Sequence, residues 1–292
     1  MTAAADTNES VAGSAPGMIL SCRYGSPVVL FTPQVSLGFK DRVHLSLGTC
    51  PAETVDEQAP PYVPDARAPV PHWRVPTEEE SSVLWSASAP EAHCGVGVVR
   101  LLGLQLVRLF AECKDTLGRF DDGDTLKHPL IGLLLDAIEK AGIITGSVYS
   151  ARIGRDHPGL VTMTRAVDQD ARIGLHFDRW DGLPVKELAA CSNRVSVNLG
   201  PRDRYLIFLN QTASGMSSIL QKANVQFKQD VRAIGAAFMS AFPNYPIVRI
   251  RLQPGEAYIA PTENILHDGT SAEVVETNHY LSMRGRFTFR QQ

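Results

Sequence analysis

The chain has 292 residues, of which 44% are hydrophobic and 20% charged, and its 28 basic and 31 acidic side chains leave a net charge of −3. This composition supplies enough apolar material for a core and excludes a disordered chain. Nonspecific nucleic-acid binding depends on clustered Lys and Arg, and the sequence has no basic stripe. Nucleic acid is therefore not expected as a partner.

The cysteines and the apolar segments indicate the environment of the protein. The five cysteines are scattered and form no Cys-x-x-Cys pair, which argues against a disulfide framework and against structural zinc. The longest apolar stretch, residues 96–113, carries several charges, and residues 1–17 lack the basic and apolar parts of a signal peptide. We expect a cytoplasmic protein with no membrane span and a flexible tail over 1–17.

Hydrophobic periodicity predicts the elements in chain order. Short strand-like pieces come first, at 27–32 and 43–47, and the seven prolines of residues 51–76 predict an extended crossing or a surface loop. Apolar stripes then predict helices at 98–113 and 131–141. Further along, the patterns predict strands at 144–153, 160–167, 172–177, 194–199 and 204–210, a helix at 230–242, and strands at 247–252, 256–260 and 280–290.

The order of these elements indicates an α+β fold that is mainly β. Helices precede a run of short strands that do not alternate with helices, so a doubly wound parallel sheet fits poorly. A β-sandwich or jelly-roll barrel with helices packed outside fits well. We expect one domain over 18–292, with a helical buttress at 96–142 and a jelly-roll core at 144–290.

A metal-binding pattern lies at the end of the strand predicted at 172–177. Side chains two apart on a strand point to the same side, so His176 and Asp178 lie together. An imidazole beside a carboxylate can hold a divalent metal, and a second His from a neighbouring strand would complete a facial triad. Two His and one carboxylate with open positions left over suit Fe(II) best.

The strand predicted at 280–290 carries two arginines on one face. Arg284 and Arg286 share this face with Ser282 and Thr288, and the opposite face is apolar. A guanidinium inside a barrel is costly unless a carboxylate meets it, ideally through two hydrogen bonds. A dicarboxylic cosubstrate would supply that carboxylate.

With His267, these residues resemble the Fe(II)/2-oxoglutarate-dependent dioxygenases. The similarity consists of His-Phe-Asp at 176–178, a His 91 residues later (267 minus 176) and an Arg on the following strand, within roughly residues 145–290. It implies a double-stranded β-helix, which is a jelly-roll variant, and the cofactors Fe(II), 2-oxoglutarate and O2. The iron ligands that it implies are His176, Asp178 and His267.

The resemblance leaves the partner of the distal carboxylate of 2-oxoglutarate open between Arg284 and Arg286. These arginines follow His267 by 17 and 19 residues, whereas about ten is the family's commonest spacing. Asn198 is a further candidate contact to the cosubstrate or the substrate, although a solvated strand face explains it equally well.

The activity that the resemblance implies is oxidation of an unactivated C–H bond. Because the sequence shows no evident nucleic-acid or peptide groove, we expect the substrate to be a small metabolite, either one of secondary metabolism or an amino-acid-like one. Asp178 stands where the family's halogenating branch has a small residue, so hydroxylation, desaturation or ring formation is favoured over chlorination. The insertion at 201–229, between ligand-bearing strands, is expected to shape substrate specificity.

Each pattern also has a purely structural explanation. His176 and Asp178 would then be a surface pair or a strand-end hydrogen bond, His267 part of a polar turn, and the two arginines solvent-facing residues of an edge strand. His279 competes with His267 as a third ligand, but strand parity places it on the apolar face. At the level of function, the alternatives are a cupin-like metal enzyme that does not use 2-oxoglutarate and a non-catalytic jelly-roll binding module.

Overall fold

The computed structural model describes residues 27–34, 39–55, 60–101, 126–127, 129–166 and 168–291. The tail predicted at 1–17 lies outside them. Within these residues the strands and α-helices are β1 (Val29–Phe31), β2 (Val43–Ser46), β3 (Thr49–Pro51), β4 (Arg67–Pro69), β5 (Trp73–Arg74), α1 (Glu78–Leu84), β6 (Gly95–Arg100), α2 (Pro129–Lys140), β7 (Ile143–Asp156), β8 (Asn193–Asn198), β9 (Arg204–Thr212), α3 (Ala213–Lys222), α4 (Val231–Ala241), β10 (Val248–Leu252), β11 (Glu256–Ala260), β12 (Ile265–Thr270) and β13 (Asn278–Phe289).

The strands form two main sheets. The larger has the order β1-β6-β11-β8-β13-β7, the smaller has the order β12-β9-β10-β2-β5, and β3 pairs with β4 separately. From β7 onwards the chain passes back and forth between the sheets: β7, β8, β11 and β13 pair antiparallel in the larger one, and β9, β10 and β12 in the smaller. A bridge between His176 and His267 joins the segment before β8 to the smaller sheet. This winding is a double-stranded β-helix, so the predicted fold class is confirmed.

Alternation along β8 sends polar side chains into the space between the sheets. Val195 and Val197 pack outwards, in an apolar cluster with β11, β13 and α2. Arg194 and Ser196 point the other way, where they contact Asp178 and the Arg204 side chain of the smaller sheet. The barrel interior at this level is therefore polar, as a binding site requires.

Helix α2 covers the outer face of the larger sheet. It begins at Pro129, where the missing N–H costs no helical hydrogen bond. Ile131, Leu134 and Ile138 follow at helical spacing and are buried. Gly142, just past the end of the helix, has a φ of 93°, a left-handed conformation typical of helix termination. Among the described helices, none is long and apolar enough to cross a membrane.

Most of the predicted elements are confirmed, with end points that differ by at most three residues. They are the strands predicted at 27–32, 43–47, 144–153, 194–199, 204–210, 247–252, 256–260 and 280–290 and the helices predicted at 131–141 and 230–242.

The helix predicted at 98–113 is wrong at its start, because residues 98–100 belong to strand β6. Residues 102–113 lie outside the described part of the chain. Val96, Val98 and Val99 are fully buried. Val96 and Val98 belong to one apolar cluster, and Val99 belongs to the other, on the opposite face of the strand. A strand buried on both faces is a continuous apolar run, which periodicity cannot distinguish from a helix. Of the predicted buttress at 96–142, the described helical part is α2.

The strands predicted at 160–167 and 172–177 are also wrong, since only isolated bridges occur there, at Arg165, Arg172 and His176. Gly174 interrupts the extended conformation with a φ of 68°.

Several features were not predicted, and α1 and β3 are among them. Strand β12 carries His267, which excludes the polar-turn explanation for that residue. Helix α3 lies within the insertion at 201–229. In the proline-rich residues 51–76, where no regular element was expected, the short strands β4 and β5 form, and β4 ends on Pro69. Strands of two or three residues need few backbone donors, so the prolines are tolerated.

Candidate metal centre

A two-bond backbone bridge sets the two histidines side by side. The N–H of His176 donates to the carbonyl of His267 at 3.1 Å, and the N–H of His267 donates back at 2.9 Å. Residues directly opposite each other on antiparallel chains project their side chains to the same side. The two imidazole centroids are accordingly 4.8 Å apart.

Asp178 completes the cluster from the same segment. Its N–H donates to the carbonyl of Thr262 at 2.9 Å, which fixes the backbone beyond the bridge. One carboxylate oxygen lies 3.8 Å from Nε2 of His176, and the other lies 3.8 Å from Nε2 of His267. One donor atom from each of the three residues lies within 4.8 Å of the others, as a shared metal ion requires.

The hydrogen bonds of the imidazoles orient their free nitrogens. Nδ1 of His176 lies 2.8 Å from the carbonyl of Gly174, and Nδ1 of His267 lies 3.3 Å from the carbonyl of Ile265. A carbonyl only accepts, so we assign the proton to Nδ1 in both rings, which leaves Nε2 as a lone-pair donor facing Asp178.

The donor set therefore fits a divalent metal. Nε2 of His267 is buried and has no hydrogen-bond partner among the described residues. A buried acceptor without a partner is costly, and a metal ion between the rings and the carboxylate would satisfy it. Two imidazoles and one carboxylate on one side of an ion leave further coordination positions open.

The electrostatics hold His267 and Asp178 in their metal-binding protonation states. Burial lowers the pKa of His267 to about 3, so its imidazole is neutral at physiological pH. Burial alone would raise the pKa of Asp178, but Arg194, the two histidines and a hydrogen bond with Thr262 together outweigh burial and hold that pKa below its ordinary value. These two ligands can thus receive a metal without losing a proton.

Arg194, on β8, is the nearest cation to this cluster in the described structure. One of its guanidinium nitrogens donates to Asp178 at 2.8 Å. Its guanidinium carbon lies 4.6 Å from the ring centroid of Trp180, at stacking distance. No role was assigned to Arg194 from the sequence. Arg194 and Ser196 are two residues apart and so lie on the same, inward face of the strand, and this spacing was the feature of the sequence that indicated a role.

The structure separates the two arginines of β13. Arg284 pairs with Arg194 in the β8–β13 register, and its guanidinium donates to Asp181 at 3.0 Å and to Ser192 at 3.2 Å. Arg286 lies beyond a register shift and is exposed, and it donates to the hydroxyl of Tyr149 at 3.0 Å. Of the two candidates, Arg284 is the one beside the metal centre.

Asn198 lies at the other end of β8, about 13 Å from Arg194 along the strand. Its amide nitrogen donates to the carbonyls of Arg202 and Leu252 at 2.7 and 3.0 Å. Its amide oxygen accepts from the N–H of Gly200. The side chain is fully buried and holds this turn together, so the structure does not bring it to the metal cluster.

A second inward guanidinium was missed altogether. Arg204 is buried and donates to both oxygens of Asp156 and to the hydroxyl of Ser196. Its guanidinium carbon lies 4.1 Å from the ring centroid of Tyr280. Two of its nitrogens donate to Asp156, whereas one nitrogen of Arg284 donates to Asp181.

The competing ligand His279 takes no part in the cluster of described ligand residues. It alternates with Tyr280 and so shares the parity of Leu281 and Met283, both of which belong to the outer apolar cluster. The parity argument from the sequence is therefore confirmed.

Comparisons with known proteins give distant similarities only. No protein-family model and no curated protein matches the chain. Among solved structures, one similar chain is the epimerase SnoN in complex with Fe3+, alpha ketoglutarate and nogalamycin RO, with 14% identity over 67% of this chain and 81% of that chain and a TM-score of 0.36. HygX from Streptomyces hygroscopicus with nickel and 2-oxoglutarate bound has 14% identity over 66% of this chain and 81% of that chain, with a TM-score of 0.35. The Kdo hydroxylase KdoO in complex with cobalt(II) has 13% identity over 67% of this chain and 81% of that chain, with a TM-score of 0.39. The strand order defines the fold independently of them.

Proposed function

We propose that the protein is a non-haem Fe(II)/2-oxoglutarate-dependent oxygenase that oxidises an unactivated C–H bond of a small organic metabolite. The observation that carries this proposal is the convergence of His176, Asp178 and His267, with a buried Nε2 of His267 that lacks a partner among the described residues. Two imidazoles and one carboxylate inside a double-stranded β-helix are the donor set that Fe(II) oxygenases use.

The ligands would be Nε2 of both histidines and the carboxylate of Asp178. When bound, the iron would supply oxygen activation, with the keto acid converted to succinate and CO2. The contribution of the protein is to hold the ligands in place. The carbonyls of Gly174 and Ile265 keep a proton on each Nδ1, and Thr262 anchors the backbone of Asp178.

Arg284 is the proposed partner of the distal carboxylate of 2-oxoglutarate. It lies opposite Arg194 across the β8–β13 pair, on the inward face of its strand. Asp181 and Ser192 hold its guanidinium from one side, which leaves donors free for an incoming carboxylate. Arg286 is exposed and is not paired with Arg194, so we do not propose it for this role.

Substrate selection is proposed to involve α3, within the insertion at 201–229. This helix begins directly after β9, and the N–H of Ala213 donates to the carbonyl of Asn264 at 2.9 Å. Asn264 belongs to the same turn as Thr262, the residue that anchors Asp178. A change at the start of α3 is therefore coupled to the rim of the metal centre.

The test of the proposed function is anaerobic addition of Fe(II) and 2-oxoglutarate to the metal-free protein. A weak visible charge-transfer band is expected for wild type and not for His267→Ala, followed by release of succinate when O2 is admitted. Iron binding without the band or succinate would favour the cupin-like alternative. No metal binding at all would favour the non-catalytic binding module.

A further inference from the structure

We infer that Arg194 is a charge partner shared in turn between Asp178 and an incoming carboxylate: it closes the metal-free site, and it holds the metal-proximal anion once the metal is bound. This inference rests on the proposed function, because it takes the three-residue cluster to be a metal site. The inference concerns a residue that the sequence analysis left without a role.

The metal-free site is closed by a single ion pair. The Arg194 nitrogen lies 2.8 Å from the same Asp178 oxygen that lies 3.8 Å from Nε2 of His267. That oxygen is therefore bonded to a guanidinium in the position from which it would bind a metal. A metal ion that joins this oxygen to Nε2 of His267 has to take the oxygen in competition with Arg194.

Net charge gives the direction of the competition. Histidine binds a metal as the neutral imidazole, so the two metal-binding rings, one carboxylate and one guanidinium contribute a net charge of zero. A divalent cation without an accompanying anion raises the sum to plus two inside the barrel, which is unfavourable in a site of low dielectric. A dianionic keto acid returns the sum to zero. Metal and keto acid are therefore expected to bind cooperatively, and Arg194 supplies part of that coupling.

Besides Asp178, the Arg194 guanidinium has the Tyr258 side chain as a hydrogen-bond partner within the protein. Its Nε is buried without a hydrogen-bond partner among the described residues. Trp180 holds the guanidinium plane by stacking and accepts no hydrogen bond in its plane. A metal ion that took the Asp178 oxygen would release the Arg194 nitrogen that now donates to it, and an incoming carboxylate would then be the acceptor for that donor.

The other inward arginines have protein carboxylates that no metal would claim. Arg204 donates to Asp156, and Arg284 donates to Asp181. Neither acid belongs to the metal cluster. Among the described arginines, the ion pair of Arg194 is thus the one that metal binding would disrupt.

The test measures binding rather than turnover, with Co(II) as the metal probe and 2-oxoglutarate as the anion. Calorimetric titrations are carried out on wild type, on Arg194→Met, and on Arg202→Gln, which removes a guanidinium from an exposed pair with Glu276. Arg194→Met is expected to bind Co(II) alone severalfold more tightly than wild type. Its cobalt form is expected to bind 2-oxoglutarate about tenfold to a hundredfold more weakly, the loss of a charge-assisted hydrogen bond. Arg202→Gln should match wild type in both titrations.

Opposite shifts in the two affinities are the signature that a merely structural arginine would not produce. If Arg194→Met binds Co(II) no more tightly and 2-oxoglutarate as well as wild type does, the inference is overturned. Arg194→Lys provides a second variant should the Met variant not fold: it keeps the positive charge, so its Co(II) affinity should remain near that of wild type while 2-oxoglutarate binds more weakly. A wild-type protein that binds no Co(II) would instead contradict the proposed function itself.

Discussion

His176 and His267 are linked through their backbones, each N–H donating to the carbonyl of the other at 3.1 and 2.9 Å. The separation of the two backbones is therefore set by main-chain hydrogen bonds, and the contacts of each Nδ1 with a backbone carbonyl orient the rings. A site held in this way has its ligands in place before the metal arrives, which lowers the cost of ordering them on binding.

Removal of His267 is expected to abolish metal-dependent stabilisation. His267→Ala deletes one of three ligands, and losing even an outer-shell partner costs about 10- to 100-fold in metal affinity. Saturating Co(II) should therefore raise the Tm of wild type and leave that of the variant unchanged. Thermal melts with and without Co(II) measure this. An equal rise in both proteins would show that the metal binds elsewhere.

Loss of Arg284 is expected to weaken 2-oxoglutarate binding. Arg284→Gln removes the guanidinium beside the metal centre, at a cost of about 1.5–3 kcal/mol for a charged hydrogen bond, so the KM for 2-oxoglutarate should rise about tenfold or more. Arg286→Gln changes an exposed residue bonded to Tyr149 and should have little effect. The reverse pattern would transfer the role to Arg286.

Metal-free protein is expected to lose stability in mild acid because of His267. Its pKa in the folded state is about 3, below the ordinary 6.5. As the pH falls, His267 is therefore protonated in the unfolded state before it is protonated in the folded state. The contribution of His267 to the free energy of unfolding is fully present above pH 6.5 and is lost as the pH falls towards 3. Each pH unit in that window costs about 1.4 kcal/mol, or about 2 kcal/mol at pH 5. Urea unfolding of wild type and His267→Gln across this range should give a shallower pH dependence for the variant, and parallel curves would refute the assignment.

Gly174 is expected to be indispensable for the placement of His176. It has a φ of 68°, and a Cβ added there would lie 2.4 Å from the carbonyl oxygen of Arg67. Gly174→Ala should reduce both the free energy of unfolding and the affinity for Co(II). Gly159→Ala is the matched control, because Gly159 also has a positive φ, 77°, but its Cβ would meet open space. The control should lose only about 1–2 kcal/mol, the cost of the left-handed backbone, and keep its metal affinity.

Exchange of α3 is expected to change substrate preference and leave metal binding intact. Replacing residues 213–222 with a helix of equal length and unrelated surface keeps the connection to Asn264 while altering the rim. The measurement is the stimulation of succinate formation by a panel of small molecules, with Co(II) affinity as the control for folding. An unchanged stimulation profile would remove α3 from substrate selection.

The sequence was most informative where alternation is regular. In β8 and β13 one face is apolar and the other polar, so both the strands and the inward side of Arg194 and Arg284 follow from parity. The pairing of His176 with Asp178 follows from a two-residue spacing, which the structure retains although the segment is not a regular strand.

Other features depended on contacts between distant parts of the chain. The bridge of His176 to His267 forms between segments 91 residues apart (267 minus 176), and no local pattern encodes it. Strand β12 was missed because its Asp268-Gly269 pair is typical of turns. Gly174 breaks the predicted strand because the chain must pass close to Arg67. The ion pair of Arg194 with Asp178 required knowing which strands face each other across the barrel.

The most direct measurement of the central claim is a crystal structure of the protein with Co(II) and 2-oxoglutarate, with anomalous scattering recorded at the cobalt edge. The account predicts one strong anomalous peak roughly 2 Å from Nε2 of His176, Nε2 of His267 and a carboxylate oxygen of Asp178. An empty triad in a crystal that contains cobalt elsewhere, with Arg194 still bonded to Asp178, would contradict it.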